Sequence, residues 1–102
     1  MKIIKCLCED IEATLDAAEH DIKKAIMYKE EYPVASKAFY AKSSALMDTI
    51  KLEHEAVVAL IEGVKKEKGE PPASMMAIYD YMHERQINKA AAIRALQEMY
   101  SK

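Results

Sequence analysis

The chain has 102 residues, 51% hydrophobic and 31% charged, with two Gly and three Pro. Five breakers are too few for an all-β sandwich, which needs a turn signal roughly every 8–12 residues, or for a doubly wound α/β fold. The hydrophobic content excludes intrinsic disorder. A net charge of −2 argues against the basic footprint of a nucleic-acid binder or a polybasic membrane-surface binder.

A single all-α domain remains. Near its start, Glu9 and Asp10 follow the short pair Ile3-Ile4 before any signal-peptide core can form. The longest apolar run, Ala56 to Ile61, ends at Glu62, far short of the roughly 20 residues that span a bilayer. A cytoplasmic protein is expected, and the close thiols Cys6 and Cys8 suit a reducing compartment better than a disulfide framework.

The first helix is expected over about 3–31. Its stripe is Ile4, Cys8, Ile11, Leu15, Ala18, Ile22 and Ala25, in steps of four and three. Pro33 suits the first turn of the next helix, expected over about 34–68. That helix carries Phe39, Ser43, Leu46, Ile50, Glu53, Val57, Leu60 and Val64. Lys65, Lys66 and Lys68 suit the negative end of its dipole, and Gly69 fits the position just past it. Gly63 lies off the stripe and reads as a point of close helix approach. Pro71, Pro72 and Ser74 open a third helix over about 73–100, with a looser stripe from Met75 and Tyr79 through Gln86 to Ile93 and Tyr100. The pattern leaves its continuity through Arg85–Lys89 open. Short connections predict an antiparallel up-down-up bundle.

Three long helices leave apolar surface to spare. Met47, Met75, Met76, Met99, Val58, Ile61 and Ile87 are the candidates for that surplus. Contiguous exposed apolar area marks an interface, so a homo-oligomer is expected, with a dimer favoured. The plainer reading has the methionines filling gaps in the core.

Chemistry is sparse. No Gly-rich phosphate loop and no nucleophile elbow occurs. Cys6 and Cys8 would point to nearly opposite sides of a helix, and no second pair completes a tetrahedral site. The three histidines, His20, His54 and His83, fall one to a helix, each beside an acid. Imidazole and carboxylate from several helices can build an iron, manganese or zinc site, here from Glu19, Glu53, His54 and His83 with Glu12 in reserve. Spacing counts against it, because adjacent helical residues point about 100° apart. No catalytic residue, metal or cofactor is expected.

Glu53 stands out as a carboxylate among Ile50, Val57 and Leu60. It must pair with a base (Lys42, Lys51 or Arg85), bind a metal, or turn to the rim. Glu12, Asp16 and Glu19 form an acidic stripe on the first helix, read either as a docking face for a cation or basic partner or as a solvated face with a Glu19–Lys23 pair.

Ala25-Ile26-Met27-Tyr28, Tyr32-Pro33-Val34-Ala35 and Phe39-Tyr40 together resemble the first helix pair of ferritin-like and rubrerythrin-like proteins, over about residues 11–64. The resemblance implies a ferritin-like hairpin whose second helix should carry Glu-x-x-His for a di-iron centre. Leu46 and Thr49 stand at those positions, so the resemblance also implies that the redox site is lost and that a second chain completes a four-helix core. Ile78-Tyr79-Asp80-Tyr81-Met82 resembles a helix of flagellin export chaperones. The expected function is a non-catalytic oligomeric scaffold or a module that binds a helical protein partner. The alternative is a metal-binding or oxidoreductase bundle.

Overall fold

A computed structural model describes residues 2–102. The described residues form three helices and no strand: α1 (Lys2–Met27), α2 (Pro33–Lys68) and α3 (Ala73–Ser101).

α1 stops four residues short of expectation. Tyr28 to Glu31 form a turn instead, and the proline ring of Pro33 pushes Tyr32 out of the helical region, to φ −135° and ψ 69°. The Tyr28 and Tyr32 rings meet edge-on across that turn, 5.9 Å between centroids. Lys29 Nζ donates to the Tyr100 carbonyl at 2.6 Å and ties the turn to the far end of α3. Pro33 is the first residue of α2, where its missing N–H costs nothing. Gly69 ends α2 with φ 78°, and its N–H caps the Lys65 carbonyl. α3 opens after Pro72 without a side-chain cap, and runs unbroken through Arg85–Lys89.

The stripe of α1 is the centre of the core. Ile4, Cys8, Ile11, Leu15, Ala18, Ile22 and Ala25 are all buried, with Met47 and Val57 from α2 and Ile93 from α3. α1 packs on both other helices, whereas α2 and α3 approach each other far less closely.

Side-chain size accounts for the difference. Ala18 and Ala25 are seven residues apart on α1, and Ser36 and Ser43 are seven apart on α2. These small residues let the backbones close until Ser36 Oγ donates to the Ala25 carbonyl and Ser43 Oγ to the Ala18 carbonyl, at 2.7 Å in the latter. Between α2 and α3 stand rings instead. Tyr40 stacks on Tyr100 at 4.7 Å, and the His54 and His83 rings meet with 4.7 Å between centroids. Along α1 the numbering of the α2 partners runs in reverse. That of the α3 partners runs forward, with Gln86 donating to the Cys8 carbonyl and Lys89 to Asp16.

Gly63 does not mark a close approach. A Cβ built there would meet nothing within 4 Å, because the residue faces solvent. The surplus apolar residues divide. Met47 is core, at 2% exposure, Ile61, Met75 and Met76 are half-buried, and Val58, Ile87 and Met99 are exposed.

Candidate functional site

Where α2 and α3 stand apart, a groove opens with α1 as its floor. Ile11 and Leu15 form that floor, Met47, Ile50, Lys51 and His54 one wall, and His83, Gln86, Ile87, Ala90 and Arg94 the other. Its volume is about 200 Å³, and its lining is mainly apolar. Val58 lies one turn beyond His54 on the same face of α2, and is exposed.

At one end of the groove His54 and His83 meet. Their Nε2 atoms are 2.8 Å apart, a hydrogen bond in which one neutral ring donates and the other accepts. Tyr79 stacks on His83 with 5.6 Å between ring centroids. Burial lowers the His54 pKa, the charge of His83 lowers it further, and Glu55 partly opposes both.

The other proposed ligands do not join them. Glu19 holds Lys23 at 3.8 Å on the surface of α1. His20 is exposed. Glu53 turns to the α1 side, where it faces Asp10 rather than a base or the groove. Burial pushes its carboxyl up to about 7, and a hydrogen bond to Asp10 and the Asp10 charge push the same way. Lys42 pairs with Asp21, Lys51 lines the groove, and Arg85 lies over the Tyr81 ring. Among the described residues no three His, Cys, Asp or Glu side chains gather into one metal-holding group. At the positions of the ferritin-like motif, Leu46 is half-buried and Thr49 donates back to the Leu46 carbonyl.

The acidic stripe of α1 faces the chain's own bases. Asp16 pairs with Lys89, and Glu12 lines a cleft with Arg85, Gln86 and Lys89. Cys8 is a buried core residue and Cys6 is exposed, both as free thiols. Burial raises the Cys8 pKa, and Glu12 adds to the rise, so its thiolate is disfavoured.

Periodicity alone overlooked one buried acid. Asp21 is 4% exposed, with Lys42 Nζ 3.5 Å from Oδ2. Ala18, Asp21 and Ala25 are spaced three and four apart, so the same stripe passes through Asp21 as readily as through Ile22.

No helix of the described residues is long and apolar enough to cross a membrane. No protein-family profile, curated protein or solved structure matches the chain.

Proposed function

We propose that this chain is a non-catalytic, oligomeric helical-bundle protein, and that its α2–α3 groove receives a helix from a second copy. The observation that carries the reading is the groove itself. A four-helix core sets two helices at a diagonal with a third between them, and the fourth covers the gap opposite. Here α1 lies between α2 and α3, and the apolar gap opposite is open. Exposed Ile87 lines it, and exposed Val58 lies a turn beyond its histidine end, as an interface requires.

Within this reading the helices run up-down-up. Support comes from the reversed order of the Ser36–Ala25 and Ser43–Ala18 pairs and the forward order of the α1–α3 pairs. A ferritin-like hairpin completed by a second chain is the arrangement that the resemblance implies. A cytoplasmic setting accords with two free thiols. A different helical protein could fill the same groove by the same contacts, and would be distinguished by the oligomeric state of the isolated chain. Size-exclusion chromatography with light scattering tests the proposal. A dimer mass is expected, and an 11.5 kDa monomer at high concentration would overturn it.

The four-residue metalloprotein alternative loses Glu19 to Lys23 and Glu53 to Asp10. Two of its ligands, His54 and His83, do meet.

A further inference from the structure

We propose that His54 and His83 form a two-histidine site for a divalent transition-metal ion of the zinc, copper or nickel class. The geometry is already close to what such an ion needs. Zinc holds imidazole nitrogens at about 2.0–2.1 Å in a tetrahedron, which sets two ligand nitrogens roughly 3.3 Å apart. The two Nε2 atoms are 2.8 Å apart, so a separation of about half an ångström, with a pivot of the rings that turns both lone pairs to one side of the N···N line, admits the ion. That movement falls on α2 and α3, the helix pair with the least mutual contact. Tyr79 packs its ring beside His83, next to the pair.

The tautomers also allow it. In the hydrogen bond one ring carries its proton on Nε2 and the other on Nδ1. When metal binds, the donor ring takes its proton on Nδ1, and both Nε2 lone pairs face the ion. No net proton is released from two neutral rings.

The ligand set selects the class of ion. Imidazole suits zinc, copper and nickel, whereas magnesium and calcium require oxygen. No third protein ligand joins the pair among the described residues, so water reaching the histidine end of the groove completes the coordination. Lys51 and Arg94 line the same groove, and their charge moderates the affinity.

Folding creates the chelate. The two histidines are 29 residues apart in sequence. An ion that binds both therefore favours the folded state. Untagged protein is unfolded thermally with and without zinc chloride. At about five times Kd, zinc should raise Tm by roughly 4–8 °C. Magnesium chloride should leave Tm unchanged. His54→Gln and His83→Gln should each abolish the gain, and His20→Gln should keep it.

Nuclear magnetic resonance of the unaltered chain supplies a readout that needs no variant. Zinc should shift the imidazole resonances of His54 and His83 and leave those of His20 in place. Unshifted His54 and His83 resonances, or a Tm gain that survives both substitutions, would overturn the site. These shifts are expected from monomer and dimer alike, so the oligomeric state does not decide this outcome.

Discussion

Glu53 and His54 are adjacent in sequence yet oppose each other in their response to pH. The Glu53 pKa rises on folding from an ordinary 4.5 to about 7, so the folded state prefers its protonated form. The stability this supplies is complete below 4.5, and is lost as pH rises from there to about 7. The His54 pKa falls below 6.5 on folding, so the folded state prefers the neutral ring. Stability is lost on that account as pH drops below 6.5 towards the lowered value. Glu53→Gln removes the first effect and leaves the second. In chelator-containing buffer at pH 8 it should stabilise the fold by about 1 kcal/mol, a modest gain because water reaches the Glu53–Asp10 pair. At pH 4 the gain should vanish. Urea midpoints at the two pH values check this, and an equal gain at both would rule out the carboxylate pair as its source. His54 was recognisable in the sequence as a polar residue flanking its stripe. Its meeting with His83 was not, because 29 residues and one reversal lie between them, and the α2–α3 register depends on the turn at Gly69–Pro72.

Ser43 offers a second test at the same scale. Its hydroxyl donates to the Ala18 carbonyl and accepts from Gln97 Nε2 at 3.0 Å, so it links all three helices. Ser43→Ala leaves the buried Gln97 amide short of a partner, and should cost about 1–3 kcal/mol in chemical denaturation. Ser36→Ala should cost less. Its neighbour Tyr100 has a hydroxyl 3.0 Å from Ser36 Oγ on a half-buried ring, and water can replace the lost contact. A larger cost at Ser36 than at Ser43 would contradict this ranking. Ser43 and Gln86 were legible as members of their stripes, but not as hydrogen-bonding residues, since their acceptors are backbone carbonyls of another helix.

At the scale of the element, the two glycines separate helix interior from helix end. Gly63 is inside α2, exposed, with open space where a Cβ would go. Gly63→Ala should stabilise the chain by about 0.5–1 kcal/mol, because glycine loses more backbone entropy in a helix than alanine. Gly69 has φ 78°, a left-handed conformation that L side chains rarely adopt. Gly69→Ala should cost about 1 kcal/mol despite equally open space. Thermal unfolding of both variants decides between backbone and packing explanations, and opposite signs are the expected result. The helix ends were legible because breakers mark them, to within one residue for α2 and α3. The end of α1 was misplaced because Tyr28 to Glu31 contain no breaker, and a turn tied to Tyr100 from outside ended the helix.

At the scale of the whole molecule, the fold is long and thin. Its extents are 56 × 19 × 18 Å, and α2, at about 54 Å, nearly spans the long axis. The radius of gyration is 16.5 Å, against about 13 Å for a compact domain of this length. An elongated chain has more surface per core residue, and here the core is built around one helix with the other two leaning on it. Ile87 is where that shape and the proposed dimer can be tested together. It is 54% exposed and lines the groove, so a charge there meets water in the monomer and an apolar helix in the dimer. Ile87→Glu should leave the helical circular dichroism unchanged and convert a dimer to a monomer in light scattering. Tyr81→Glu is the control, since Tyr81 is similarly exposed but does not line the groove. A dimer that survives Ile87→Glu and dissociates with Tyr81→Glu would place the interface on another face of α3.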